Sequence, residues 1–383
     1  MLESILGVFS IGLALLYLGL ILLYIYHWSS VPRTSLPDTF KPSTAITVII
    51  PIRNEEKRIA GLLKSILANN YPTDLLEIIV IDDHSDDKSI EVVKNIVCEN
   101  IKVISLADFD LPANFNSYKK FGLAQANEIA NGELIITTDG DCIVPSRWLE
   151  YFAYVFEVEK KSFIAAPVNF ISTPLAIVNF QALDFMGMML ITGANIKRTK
   201  SLLCNGANLG YSKALFQQVG GYTDISERAS GDDVMLMNKV AKQAPKELYF
   251  IKNKNATVLT QAAPTWSTFV QQRLRWATKN SNSSDWFLKV ELGIVYLLSI
   301  AILTLPFFFI IGYSKLTLVW ILVVLLKFLA DYTLLSSAAS FFGRRKLLDH
   351  LVVSFFIHVF YIAYIGTLSF FKRRFEWKGR SVQ

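Results

Sequence analysis

Asp139-Gly140-Asp141 sets two carboxylates two positions apart around a glycine. A chain free to bend there can turn both toward one hard cation that holds a diphosphate, and magnesium or manganese is the natural occupant. A second acidic run, Asp82-Asp83-His84-Ser85-Asp86-Asp87, follows a short apolar stretch, and the polar turn Arg53-Asn54-Glu55-Glu56 follows another that ends in Pro51. Gly231-Asp232-Asp233 opens a helical pattern of Val234, Leu236, Met237 and Val240. An acidic pair there either caps the helix or supplies the carboxylate that takes a proton from an attacking hydroxyl. Gln272-Arg273-Leu274-Arg275-Trp276 adds planar guanidinium donors suited to a leaving diphosphate and a flat indole suited to a sugar ring. The same basic aromatic pattern beside a bilayer also serves as an interfacial anchor.

The elements that must position these groups alternate in type. Apolar, β-branched runs at 45–52, 76–81, 101–106 and 134–138 read as buried strands. A helical repeat through Ile59, Leu62, Leu63, Ile66 and Leu67 and a helix over 118–130 separate them. Strands alternating with helices imply a parallel sheet covered on both faces, and ligands of such sheets bind beyond the carboxyl ends of the strands. The clusters at 53–56, 82–87 and 139–141 all fall at those ends.

The remainder of the chain is too apolar for an ordinary soluble protein: of 383 residues 52% are hydrophobic and 18% charged. Apolar stretches at 5–26, 292–313, 316–337 and 351–371 each approach the roughly 20 residues that cross hydrocarbon as a helix. No such stretch is read in the middle of the chain. The organisation expected is an uncleaved anchor (1–28), a Pro-containing linker (29–43), a globular domain (44–285), a membrane bundle (286–372) and a basic tail (373–383). Arg33, Lys41 and the basic loop 343–346 direct their segments, and with them the domain, to the cytoplasm. The basic residues of the tail conflict with three full crossings after the domain, so one segment is expected to be re-entrant. Lys327 and Asp331, four apart, suit an ion pair inside the bundle or a polar site near the interface. Cys98, Cys142 and Cys204 match no zinc or redox spacing, and the net charge of +6 comes without a basic stripe interleaved with aromatics, which argues against nucleic acid as a partner.

Taken in order, these motifs resemble those of the processive and lipid-linked family 2 inverting glycosyltransferases, over residues 48–276. The resemblance implies an α/β, Rossmann-like A-type glycosyltransferase domain with a mostly parallel sheet, plus one N-terminal and about three C-terminal transmembrane helices. It implies nucleotide-sugar binding by Pro51, Arg53, Glu55, Asp82, Asp83, Lys120, Asp139 and Arg275, and a Mg2+ or Mn2+ ion on Asp141 and Asp139. Asp233 would be the general base beside Asp232, with Gly206, Asn208, Gln272, Arg273 and Trp276 on the acceptor side. The acidic pair more often begins with glutamate, and His84 stands where glycine is commoner. The activity implied is transfer of a hexose or N-acetylhexosamine from a UDP-sugar to a membrane lipid at the cytoplasmic face of the cell membrane, with a partner subunit or oligomer compatible. A processive polysaccharide synthase is the alternative; the few apolar segments after the domain leave little protein to line a polymer channel. A nucleotide-binding transport or scaffold subunit is the alternative of another class, and it leaves Gln272 to Trp276 without a task.

Overall fold

The computed structural model describes residues 1–110, 117–223, 231–281, 285–371, 375–377 and 380–382. In chain order the helices are α1 (Leu2–Ser30), α2 (Ile59–Leu67), α3 (Ser89–Lys94), α4 (Tyr118–Ile129), α5 (Trp148–Glu157), α6 (Ala176–Arg198), α7 (Lys213–Gln218), α8 (Asp232–Gln243), α9 (Trp266–Ser281), α10 (Trp286–Ile310), α11 (Lys315–Phe342) and α12 (Leu351–Phe371). The strands that build the sheets below are β1 (Ile46–Ile52), β2 (Leu76–Asp82), β3 (Ile101–Ser105), β4 (Leu134–Thr137), β5 (Phe163–Ala165), β6 (Val168–Phe170), β7 (Leu209–Ser212), β8 (Leu248–Phe250) and β9 (Val258–Thr260). The chain divides into two compact units, a helical one of Met1–Ser30, Ser172–Ser201 and Ala262–Phe375, and a sheet unit of Val31–Ile171, Leu202–Gln261 and Glu376–Gln383.

The sheet unit carries a seven-stranded sheet in the order β3-β2-β1-β4-β7-β5-β8. Strands β3, β2, β1 and β4 are parallel, β7 is antiparallel to both neighbours, and β5 and β8 are parallel to each other. The central strands are apolar without alternation because both faces are covered: Val48, Ile49, Ile50, Ile78, Ile79, Val80, Leu134, Ile135 and Ile136 are all buried. Pro51 is tolerated in a central strand because the pairing with β4 has already ended at Ile49↔Thr137, so its missing N–H breaks no bond on that side. The register Ile52↔Asp82 and Thr137↔Leu209 defines one edge of the sheet, where the parallel strands finish and the antiparallel β7 begins. That reversal brings the turn Gly206–Asn208 to the same edge as the ends of β1, β2 and β4.

Among the described residues the helical unit contains five helices long and apolar enough to cross a membrane: α1, α6, α10, α11 and the segment ending in α12. Four correspond to the stretches read from sequence. The fifth, α6, lies in the middle of the chain where none was expected, and so the sheet unit is not one continuous run from 44 to 285. Asn179, Gln181, Asp184 and Asn195 dilute the apolar pattern of α6, but most of this helix is buried, and Gln181, Asp184 and Asn195 face protein. The three C-terminal stretches are single unbroken helices of 25, 28 and 21 residues, not a re-entrant turn. Lys327 and Asp331 form the internal ion pair, at 2.6 Å. Of the basic residues at this end, Lys372, Arg373, Arg374 and Lys378 lie outside the described residues.

Candidate active site

The carboxyl edge of the sheet unit gathers the acidic motifs. Asp82 ends β2, and Asp83 is tied to β1 through its N–H to the Ile52 carbonyl at 2.9 Å. Arg53 reaches from the end of β1 to donate to the carbonyls of Asp83 at 2.7 Å and His84 at 3.1 Å, with the Asp83 carboxylate 3.9 Å away. His84 takes the left-handed conformation at φ 53° and points Nδ1 at Asp83 Oδ1, 3.1 Å away. The position that more often holds glycine thus keeps a glycine-like backbone. The loop after β1 is fixed by the N–H of Glu55 donating to Ser89 Oγ at 2.7 Å, and Asn54 and Glu56 bond the acidic run in the same way.

Asp139-Gly140-Asp141 follows β4 in a turn closed by the Cys142 N–H to the Asp139 carbonyl at 3.1 Å. A Cβ on Gly140 would lie 2.8 Å from Ile52 Cγ2 and 3.2 Å from Glu55 Cγ, so only glycine lets this turn lie against the end of β1. Asp141 accepts from Thr260 Oγ1 at 3.2 Å and stands 3.8 Å from Arg58. Burial, and then the nearby carboxylates of Asp139 and Glu55, push the Asp141 carboxyl above its usual range. Lys119 donates to Asp139 at 3.0 Å and lies 3.9 Å from Asp232. Burial opposes its charge, but the carboxylates of Asp139, Asp232 and Asp233 outweigh it and hold the ammonium well above the ordinary lysine range. Lys119 thus joins Asp139 to the acidic pair, and Lys120, 2% exposed, has its Nζ 3.7 Å from Met235 Sδ. Helical spacing carried this signal, because Lys120, Leu123 and Asn127 form one buried stripe of α4 and Lys119 stands beside it.

Gly231 caps α8 at φ 90°, which starts the helix at Asp232 and places both carboxylates in its first turn. Asp233 Oδ2 accepts the N–H of Gly206 at 3.0 Å and Oδ1 its neighbour Val234 N–H at 2.8 Å. Gly206 is in turn held by Thr137 at the end of β4, whose hydroxyl donates to the Gly206 carbonyl at 2.7 Å. Asn208, expected on the acceptor side, is instead an internal clamp. It is 0% exposed, donates to the carbonyls of Pro167 at 2.7 Å and Ala256 at 2.9 Å, and accepts from the Trp148 indole at 2.8 Å.

Among the described residues no group of three or more His, Cys, Asp or Glu side chains is placed to hold a metal ion alone. Two carboxylates nevertheless fit a cation whose remaining ligands are water and substrate phosphate, the usual arrangement for magnesium. Gln272, Arg273, Arg275 and Trp276 belong to α9 of the helical unit. There Arg273 is 4% exposed and ion-paired to Asp184 at 2.8 Å, so its guanidinium is committed inside the unit rather than presented to an acceptor.

The chain is 26% identical over 250 residues to the probable glycosyltransferase YdaM of Bacillus subtilis (63% of this chain, 57% of that protein). It is 28% identical over 145 residues to the β-monoglucosyldiacylglycerol synthase of Nostoc sp. (37% of this chain, 28% of that protein). A 64-residue stretch is 41% identical to the 4,4'-diaponeurosporenoate glycosyltransferase of Staphylococcus aureus, covering 17% of this chain and 16% of that protein. The chain thus spans little more than half of the first of these relatives and less of the others. The fold is similar to that of the mannosyltransferase PcManGT from Pyrobaculum calidifontis, solved with GDP-Man and Mn2+, at a TM-score of 0.56 and 17% identity, over 96% of this chain and 99% of that one. Residues 47–220 match glycosyl transferase family 2 and residues 134–368, more than half of the chain, match glycosyl transferase family group 2. A parallel sheet with paired aspartates at its carboxyl edge, set in a chain with five long apolar helices, is accordingly a family 2 glycosyltransferase.

Proposed function

We propose that this transferase moves a hexose or N-acetylhexosamine from a UDP-sugar to the hydroxyl of a membrane lipid, with inversion, at the cytoplasmic face of the cell membrane. The observation that carries the reading is Asp233, oriented by the Gly206 N–H at 3.0 Å, on the same sheet edge as Asp139 and Asp141. Asp233 takes the proton of the acceptor hydroxyl while its oxygen bonds to the anomeric carbon. The bond from that carbon to the diphosphate oxygen breaks, and the nucleoside diphosphate leaves. Arg53, Asp82 and Asp83 bind the nucleotide side and Lys119 joins them at the phosphates. Asp139 and Asp141 would hold magnesium or manganese, which supplies charge neutralisation for the departing diphosphate. Arg275, Gln272 and Trp276 take the leaving group and acceptor by their motif rather than by any distance.

The lipid acceptor is supported by relatives whose names carry a glucosyldiacylglycerol and a diaponeurosporenoate, and by the five apolar helices among the described residues. Cytoplasmic orientation is supported by Arg33, Lys41 and the basic loop 343–346. The test is release of nucleoside diphosphate by the detergent-purified chain with Mg2+ or Mn2+, across UDP- and GDP-sugars, with and without extracted lipid. Label in an organic-soluble product supports the reading. Label in insoluble polymer replaces it with a polysaccharide synthase, and release from GDP-sugars alone overturns the choice of donor.

A further inference from the structure

A line of charged and polar side chains runs through the interior of the helical unit and ends on the helix that carries Gln272 to Trp276. Tyr17 of α1 donates to Asp331 at 2.5 Å, and Lys327 donates to the other oxygen of Asp331 at 2.6 Å. Lys327 is 0% exposed and lies 3.4 Å from Nδ1 of His358 on α12. Nε2 of His358 is 4.0 Å from Asp184 of α6, which also accepts from Tyr361 at 3.2 Å. Asp184 faces Arg273 of α9 at 2.8 Å, and the guanidinium is stacked over Trp276 at 4.3 Å and Phe269 at 4.9 Å. Two lysine or arginine cations meet two carboxylates, so the line is balanced without an added ion. Buried ion pairs are poor sources of stability, and apolar packing would serve at least as well; what they fix is which groups meet.

The second attachment of α6 lies one turn earlier. Gln181 donates to the carbonyl of Ala263 at 2.8 Å and accepts its N–H at 3.0 Å, just before α9 begins. The approach to α9 and its middle are thus held by Gln181 and Asp184 on one face of α6. Successive helix positions turn by about 100°, so anchoring Arg273 sets Arg275 about 200° round the axis. A rotation of α9 would move Arg275 and Trp276 together.

We propose that Asp184, acting through Arg273, is a positioning residue that sets the rotation of α9 and thereby aims Arg275 and Trp276 for the transfer reaction. This rests on the reading that those two residues serve the reaction. The test uses the full chain with Asp184→Asn, Asp184→Glu and Arg273→Gln, alone and with Asp184→Asn. Amide exchange of the segment 266–277 is expected to accelerate on the order of tenfold in Asp184→Asn, with peptides of β1 to β4 unchanged. With any acceptor that supports turnover, kcat is expected to fall on the order of tenfold to a hundredfold. Asp184→Glu is expected to recover part of both effects, and Asp184→Asn with Arg273→Gln to be no slower than either alone. Unchanged exchange in 266–277, acceleration spread over the whole chain, or altered exchange with kcat intact each overturns the proposal. If the unaltered chain turns over with no acceptor, the function proposed above fails, and the exchange measurement still decides whether Asp184 holds α9.

Discussion

Gly140→Ala tests whether the turn Asp139-Gly140-Asp141, proposed to hold the metal, is placed by its contact with the end of β1. The added Cβ would sit 2.8 Å from Ile52 Cγ2 and 3.2 Å from Glu55 Cγ. Ordinary carbon contacts begin near 3.5 Å, so the turn must retreat by about 0.7 Å. Ile52 cannot yield, because it is buried and registered against Asp82, and Glu55 is held through its N–H to Ser89. The displacement therefore falls on Asp139 and Asp141. Overpacking of this kind costs about 1–3 kcal/mol, or roughly 2–4 °C of Tm for each kcal/mol in a unit of this size. A shift near 1 Å at a binding group costs on the order of a hundredfold in rate. The assay is nucleoside diphosphate release titrated with Mn2+ or Mg2+, beside a thermal melt. Gly206→Ala is the control for packing, since its Cβ would meet Asp233 at an ordinary 3.6 Å, and its melt should match the unaltered protein. Gly140→Ala with unaltered Tm, metal dependence and rate would refute the reasoning.

Asp233→Asn should lower kcat on the order of a hundredfold to ten-thousandfold with nucleotide binding retained, read by turnover beside equilibrium binding. Asp141→Ala should lose metal-dependent nucleotide binding as well, which a binding titration with and without Mn2+ measures. Lys119→Met should weaken nucleotide binding on the order of tenfold, because it removes the cation held between Asp139 and Asp232. For Glu77, burial alone would raise the carboxyl, but hydrogen bonds from Lys102, Thr47 and Asn131 outweigh it and hold the group below its ordinary value of 4.5. Its contribution is then present above the unfolded value and lost as pH falls through the lower folded one. Glu77→Gln should cost about 1 kcal/mol at neutral pH, with the difference closing in acid melts.

The parallel half of the sheet was legible because strands covered on both faces must be apolar throughout, and β1, β2 and β4 carry that pattern to within a residue of their ends. The acidic motifs were legible because each follows such a strand. The three-residue strands β5, β6, β8 and β9 were not, since so short a run has no period. Helix α6 escaped notice because Gln181 and Asp184 interrupt its apolar pattern, and what satisfies them, Ala263 and Arg273, is distant in sequence. Asn208 was placed on the acceptor side by resemblance alone, and its internal partners, Pro167, Ala256 and Trp148, are distant in sequence.

The ion pairs Lys327–Asp331 and Asp184–Arg273 of the helical unit differ in when they can form during synthesis. Lys327 and Asp331 are four apart on one helix, so α11 can leave water already neutralised as soon as it coils. Asp184 leaves the ribosome well before Arg273, and it has no partner on its own helix that could cancel its charge. A lone carboxylate is expensive to bury. Burial of α6 therefore waits on the arrival of α9, and a chain stopped before Arg273 would hold α6 in a place where water can still reach it.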